Sequence, residues 1–245
     1  MRYLVLSDIH ANIDALECVL ADAARHRTDH VLLLGDLVGY GADPNGVIAR
    51  LKSVGPLTAI RGNHDKVAAA LDDAEGFNEA AKYSARWTFD TLTDEHKAHL
   101  AALSKGPVLV AGDIECCHGT PFDEDAYVFD EMDAMYALQA SRARLCLYGH
   151  THIPAALAFD GSVLDYGVLK GDQTIDWRYD WRYLINVGSV GQPRDGDPRA
   201  AYGVVDSEQG TIDVVRVTYP VEQAQARIID AGLPDVLAQR LRLGR

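Results

Sequence analysis

Five times along this chain a short, largely apolar run stops abruptly at a carboxylate, an amide or an imidazole. Tyr3-Leu4-Val5-Leu6 runs into Ser7-Asp8-Ile9-His10, and Val31-Leu32-Leu33-Leu34 into Gly35-Asp36. Leu57-Thr58-Ala59-Ile60 meets Arg61-Gly62-Asn63-His64-Asp65. Ile114-Glu115-Cys116-Cys117 meets His118, and Leu145-Cys146-Leu147-Tyr148 meets Gly149-His150-Thr151-His152. Apolar runs of this length read as strands buried on both faces, the habit of parallel sheets. Polar groups just past their carboxyl ends lie where open α/β folds place active sites. Five of the nine histidines fall at these ends, and chance scatter does not put each one just after an apolar run.

The segments between the runs set the connections. Ile13, Leu16, Val19, Leu20 and Ala23 share one helical face, with Asn12 as the helix cap. That helix makes residues 3 to 34 a β-α-β unit, right-handed by default. Pro44 opens a second helix reaching Val54. Residues 66 to 103 are mostly helical in pattern, with a break at Gly76 and a new start near Thr93-Asp94-Glu95. The second half reads as hairpins, turning at Gly112-Asp113, Asp160-Gly161 and Gln209-Gly210, with a short helix from Met132 to Ser141. Two short helices follow Pro220, split at Gly232-Leu233-Pro234. No linker or low-complexity stretch interrupts residues 1 to 245, so one domain is expected.

Asp176-Trp177-Arg178-Tyr179 is repeated at once as Asp180-Trp181-Arg182-Tyr183. As a strand it would set Trp177, Tyr179, Trp181 and Tyr183 on one face. Such a face would pack against its own domain, form a subunit contact, or serve as an aromatic wall for a nucleobase.

Charge removes some partners. Lys and Arg total 23 against 36 Asp and Glu, a formal charge of -13. That field repels nucleic acid and acidic membranes, so a small molecule is the expected ligand. Self-association into a homo-oligomer stays open. Cys18, Cys116, Cys117 and Cys146 form no Cys-x-x-Cys pair and read as small buried hydrophobes of a reducing compartment. With no signal-type opening and no membrane-length apolar segment, a cytoplasmic protein is expected.

The chemistry resides in the run-ending groups. In an extended segment Asp8 and His10 point to one side, as do His150 and His152. Gly62 allows a close backbone approach, and Asp65 is placed to accept from a His64 nitrogen and fix its tautomer. His26, His30, His96 and His99 have no such setting and read as surface histidines. Carboxylate, amide and imidazole without thiolate suit Mn, Fe, Zn, Co or Ni ions. Seven donors exceed a four-coordinate site, so two ions are the natural count. Gly188 to Arg194 is a glycine-rich loop that would offer backbone N–H groups or Arg194 to an anion, without the ending of a P-loop.

The ordered set Asp8-x-His10, Gly35-Asp36, Gly62-Asn63-His64-Asp65, His118 and Gly149-His150-x-His152 resembles the calcineurin-like metallophosphoesterases. Gly35 to Gly41 and the Gly188 to Arg194 loop are similar to a small bacterial branch described as predicted phosphodiesterases. The resemblance implies a four-layer αββα sandwich of two packed mixed sheets flanked by helices. It implies one ion held by Asp8, His10, Asp36 and His152, and another by Asp36, Asn63, His118 and His150, manganese foremost. Ions so placed lower the pKa of a shared water, whose hydroxide attacks phosphorus in line. His64 would serve as general acid at the leaving oxygen, oriented by Asp65. Arg61, Arg194 and Tyr40 are the candidate substrate contacts. Gly39-Tyr40-Gly41 stands where the Ser/Thr protein phosphatases have Asp-Arg-Gly, so one phosphate-binding arginine is missing and a phosphodiester is favoured. The alternatives are a phosphomonoesterase acting on proteins or nucleotides, and a non-catalytic metal-binding scaffold.

Overall fold

β1 (Arg2–Leu6) pairs in parallel with β2 (His30–Leu33), and β2 in parallel with β3 (Leu57–Ala59), in the computed structural model, which describes residues 1–245. The crossovers are helical because each is capped where it leaves the sheet. Asn12 accepts from the Ala15 N–H to start α1 (Ile13–Ala23). Asp43 accepts from the Gly46 N–H, with Pro44 at the first position, to start α2 (Pro44–Lys52). Three antiparallel strands extend this sheet beyond β1. They are β11 (Ala200–Asp206), β12 (Thr211–Val217) and the edge strand β9 (Gln173–Asp176).

A second six-stranded sheet has the order β4 (Val108–Val110), β5 (Ile114–Cys116), β6 (Leu145–Tyr148), β10 (Arg182–Asn186), β7 (Ala155–Phe159), β8 (Leu164–Val168). Within it β5, β6 and β10 run parallel and the outer pairs are antiparallel hairpins. The remaining helices are α3 (Asn63–Ala68), α4 (Glu79–Thr91), α5 (Asp94–Ala101), α6 (Glu131–Ala140), α7 (Val221–Asp230) and α8 (Asp235–Leu243).

Three separate cores show how the layers stack. Leu4 and Leu6 of β1 pack with Leu16, Val19, Ile48 and Leu237 from the helices outside the first sheet. Tyr3 and Val5, on the other face of the same strand, meet Leu145, Leu147 and Ile185 between the sheets. Cys146 and Tyr148 of β6 turn outward to Ala134, Ala137 and Leu138 of α6. Side chains alternating across β1 and β6 thus feed two cores each, which explains why no charged residue follows Arg2 in β1 and none occurs in β6. The result is the four-layer αββα sandwich. It sends the carboxyl ends of β1, β2, β3, β5 and β6 to one rim.

The duplicated segment is not one strand. Asp176 ends β9 in the first sheet and Arg182 begins β10 in the second, so residues 177 to 181 are the turn between sheets. Tyr183 is buried, Trp177 and Trp181 are half-buried against the inter-sheet core, and Tyr179 is exposed. The alternation fails because crossing between layers reverses the chain inside the repeat. The Trp side chains also lie near Tyr3 and Ile114, at the strand ends opposite the polar rim. Cys116, Cys117 and Cys146 are buried free thiols, whereas Cys18 is only half-buried. No helix is long and apolar enough to cross a membrane.

Candidate metal centre

The residues past the strand ends converge through left-handed backbone. Asp8, His10, Asp36, His150 and His152 have φ of 52°, 49°, 53°, 66° and 59°. Each such residue costs roughly 1–3 kcal/mol and persists only where its surroundings hold it. This corrects the extended reading of Asp8-x-His10 and His150-x-His152. The pairs face one way because the chain coils there, not because side chains alternate. Close backbone approaches make the coil fit. A Cβ on Gly35, which has φ of +96°, would lie 2.7 Å from both the Gly62 nitrogen and His118 Nδ1. At Gly62 the backbone is extended, and the requirement is instead room for the Asp36 carboxylate.

Two donor groups result, and they share one carboxylate. Asp8, His10, Asp36 and His152 form the first; Asp36, His118 and His150 form the second. His10 Nε2 and His118 Nε2 each lie 3.5 Å from Asp36 Oδ2. His152 Nε2 lies 3.4 Å from Asp8 Oδ1, and Asn63 Oδ1 lies 3.2 Å from His118 Nε2. The far side of each ring is spoken for. His10 Nδ1 donates to the Val38 carbonyl, His152 Nδ1 to Gln192 and His118 Nδ1 to Leu34, at 3.1, 2.6 and 2.7 Å. His150 is turned over, with Nε2 on the Asp125 carbonyl at 3.1 Å and Nδ1 facing the cluster. Carbonyls so placed fix each tautomer with a lone pair inward, as is usual behind metal-bound imidazoles.

Charge at the site is unbalanced without a cation. Asp36 Oδ1 accepts from the His64 N–H at 2.9 Å, while Oδ2 is buried with no hydrogen bond. Burial pushes Asp8 up to about 7, although His118 opposes it. Burial also lowers His10 and His152 well below the usual imidazole range and His150 to about 3. At His118 burial opposes the charge, yet Asp36 outweighs it and raises this group to about 10. The buried Asp36 carboxylate therefore calls for positive charge at the point where His118, Asn63 and His150 meet it. A buried carboxylate oxygen without a donor, ringed by inward lone pairs, fits a divalent cation.

His64 sits against this cluster, with ring centroids 5.0 Å from His10, 4.3 Å from Tyr40 and 4.5 Å from Phe77. Its Nδ1 is buried without a partner, packed on Gly39. Asp65 does not touch it. The Asp65 carboxylate instead accepts from the backbone N–H groups of Leu37, Val38 and Gly62 at 2.9, 3.2 and 3.0 Å. The expected His64 orienter is thus a clamp between the loop after β2 and the start of α3. Three N–H donors in fixed positions satisfy its oxygens before the ring can reach them. What orients His64 is packing between Tyr40, Phe77 and Gly39.

The two arginines part company. Arg61 is held by Glu124 through Nε and Nη2, both at 3.1 Å, so its charge is already matched. Arg194 forms no ion pair; Nη2 donates to Gln192 Oε1 at 3.0 Å and lies 3.4 Å from the Tyr40 hydroxyl, and Nε is buried without a partner. The Gly188 to Arg194 loop does not offer its backbone to an anion. The N–H groups of Val190, Gly191 and Arg194 go to Ser7, Asp8 and His152 carbonyls, which staples the loop beneath the cluster.

Several functional groups escaped sequence reasoning. Ser7 donates to Asp8 at 2.6 Å, and its adjacency was a usable signal. The Val38, Leu34, Gln192 and Asp125 carbonyls carry none, because every residue has one. Tyr127, whose ring lies 3.9 Å from that of His150, follows no apolar run.

Comparison with known proteins agrees with this geometry. The model of the calcineurin-like phosphoesterase superfamily domain matches residues 1–210. An uncharacterized protein of Methanocaldococcus jannaschii is 33% identical over 249 residues, covering 98% of this chain and 97% of the relative. A crystal structure of a metallophosphoesterase from Sphaerobacter thermophilus is 35% identical with a TM-score of 0.87, covering 100% of both chains. A hypothetical protein from Pyrococcus horikoshii has the same fold at 20% identity, TM-score 0.79, with 100% of this chain and 98% of that one covered.

Proposed function

The chain belongs to the calcineurin-like phosphoesterase superfamily, and from that premise we propose that it hydrolyses phosphoesters, phosphodiesters in preference, with two divalent metal ions. One observation carries the reading: Asp36 Oδ2, buried and unpartnered, is common to both donor groups. A carboxylate has an oxygen edge for each of two cations. Asp8, His10, Asp36 and His152 would hold one, and Asp36, Asn63, His118 and His150 the other, with manganese first among the candidates. Such ions supply Lewis-acid polarisation of phosphoryl oxygens and an acidified water.

The chain's own groups do the rest. Arg194 is the one of the two arginines not already neutralised, so it can take a non-bridging phosphate oxygen. A single free cation suits the single charge of a diester better than the double charge of a monoester, which supports the diester preference. His64 serves the leaving oxygen. Burial, against the pull of Asp36, holds it at about 4, so at neutral pH the free ring is neutral. An anionic phosphoester beside it raises that value, the direction a general acid needs. Asp65 acts at one remove, by fixing the loop that carries Leu37 and Val38.

Elemental analysis and aryl phosphodiester turnover on the manganese-loaded protein test the proposal. Two ions per chain and turnover abolished by a chelator are expected. One ion at saturation, or undiminished turnover in chelator, overturns it.

A further inference from the structure

A cavity of about 250 Å³ adjoins the metal cluster, lined by Tyr127, Phe129, Ile153, Tyr166 and Val168, with Arg194 in its wall. It touches the site at two points. The Tyr127 ring lies 3.9 Å from the His150 ring at 31°, and the Arg194 N–H is bonded to the His152 carbonyl. Tyr127 and Phe129 are stacked on each other at 5.1 Å and 16°, yet are 40% and 78% exposed. Flat apolar faces left open beside a catalytic cluster mark a binding surface.

The segment bearing these rings is pinned. Lys66, itself buried, binds Asp125 at 2.5 Å, Glu124 is buried on Arg61, and the Asp125 carbonyl accepts from His150. The rings are therefore held at a set height over the cluster. Arg194, unpaired, faces both the cluster and the cavity. A phosphate between Arg194 and the cluster would send one ester substituent into that cavity.

We infer that this pocket binds a planar aromatic substituent of the phosphoester, a nucleobase in its common biological form. The inference rests on the phosphoesterase reading and adds to it a substrate class. With Tyr127 packed on His150 and Phe129, the open face is that of Phe129, and a flat ring face favours a flat π-system over an acyl chain, which has no face to present. Trp177 and Trp181, for which a nucleobase wall is one of three alternatives from sequence, pack on the inter-sheet core at the other end of the strands instead.

Calorimetric titration of the manganese-loaded protein with adenosine 5′-monophosphate and with ribose 5-phosphate separates base from phosphate, without requiring turnover. The base is expected to tighten binding at least about tenfold. Phe129→Ala and Tyr166→Ala should each cut that ratio at least about fivefold. Phe129 is mostly exposed, so its removal spares the fold, and equal metal content in each variant checks the cluster. Equal affinity of the two ligands, or a ratio unmoved by both variants, overturns the pocket while leaving the phosphoester reading intact. Failure of both ligands to bind the loaded protein overturns the two together.

Discussion

His10 Nε2 and His152 Nε2 lie 3.1 Å apart, although each ring already donates its other nitrogen to a backbone carbonyl. Two inward lone pairs at that distance repel unless something positive stands beside them. The buried Asp36 Oδ2, 3.5 Å from His10, adds a formal negative charge and makes the same demand more strongly. Oxygen and nitrogen donors that neither pair with one another nor reach water are arranged for a cation.

Replacing Asp36 by Asn keeps the shape and removes the shared charge. Metal content of Asp36→Asn should fall at both positions, read by elemental analysis after dialysis against excess manganese. An amide offers one oxygen and no charge to two ions. Retention of the wild-type complement would show that Asp36 is not the common ligand.

His64 lies beside the donor groups without joining either. His64→Ala should retain metal and lose roughly a hundredfold or more in kcat, the usual scale of proton-transfer catalysis. Unchanged kcat in the metal-replete variant would take His64 out of the reaction.

The arginines should separate by phenotype. Arg194→Ala is expected to lower kcat/KM by roughly tenfold or more, the worth of one charge-assisted hydrogen bond, with metal retained. Arg61→Ala should act mainly on stability, because it takes both Arg61 hydrogen bonds from Glu124, which is 7% exposed, and leaves it only Lys66 and the more distant Lys105. Steady-state kinetics with parallel urea melts distinguish the two, and the reverse pattern would contradict the pairing.

Glu124 gives a pH signature. Burial alone would raise it, but Arg61 and then Lys66 hold it below its ordinary 4.5. A carboxylate depressed in the fold contributes stability above its unfolded pKa and loses it as pH falls through the folded value. Glu124→Gln should therefore cost about 1.5 kcal/mol at neutral pH, the worth of a charge-assisted hydrogen bond in a partly buried pair. The gap to wild type should close as pH falls below 4.5. Urea midpoints across that range measure it, and a gap independent of pH would exclude the ion pair as its cause.

Much of the fold was legible because alternation and caps are local. The apolar runs gave the buried strands, Asn12 and Thr93 gave helix starts, and Gln209-Gly210 gave a hairpin turn. The Trp-Tyr repeat misled because a strand and a sheet-to-sheet crossing share the same alternating letters. Only the hydrogen-bond partners, Gln173 to Asp176 in one sheet and Arg182 to Asn186 in the other, tell them apart.

At the site, the sequence by itself determined which chemical groups stand past which strand, since that is a matter of order along the chain. Tertiary structure decided what each group faces. Asp65 is next to His64 in sequence but bonded to Leu37 and Val38. Arg61 looked available until Glu124, far along the chain, neutralised it. His10 and His152 meet because left-handed turns at the ends of two strands aim them inward. A side chain's identity is covalent, whereas its direction and its net charge depend on backbone dihedrals and on neighbours that only folding brings near.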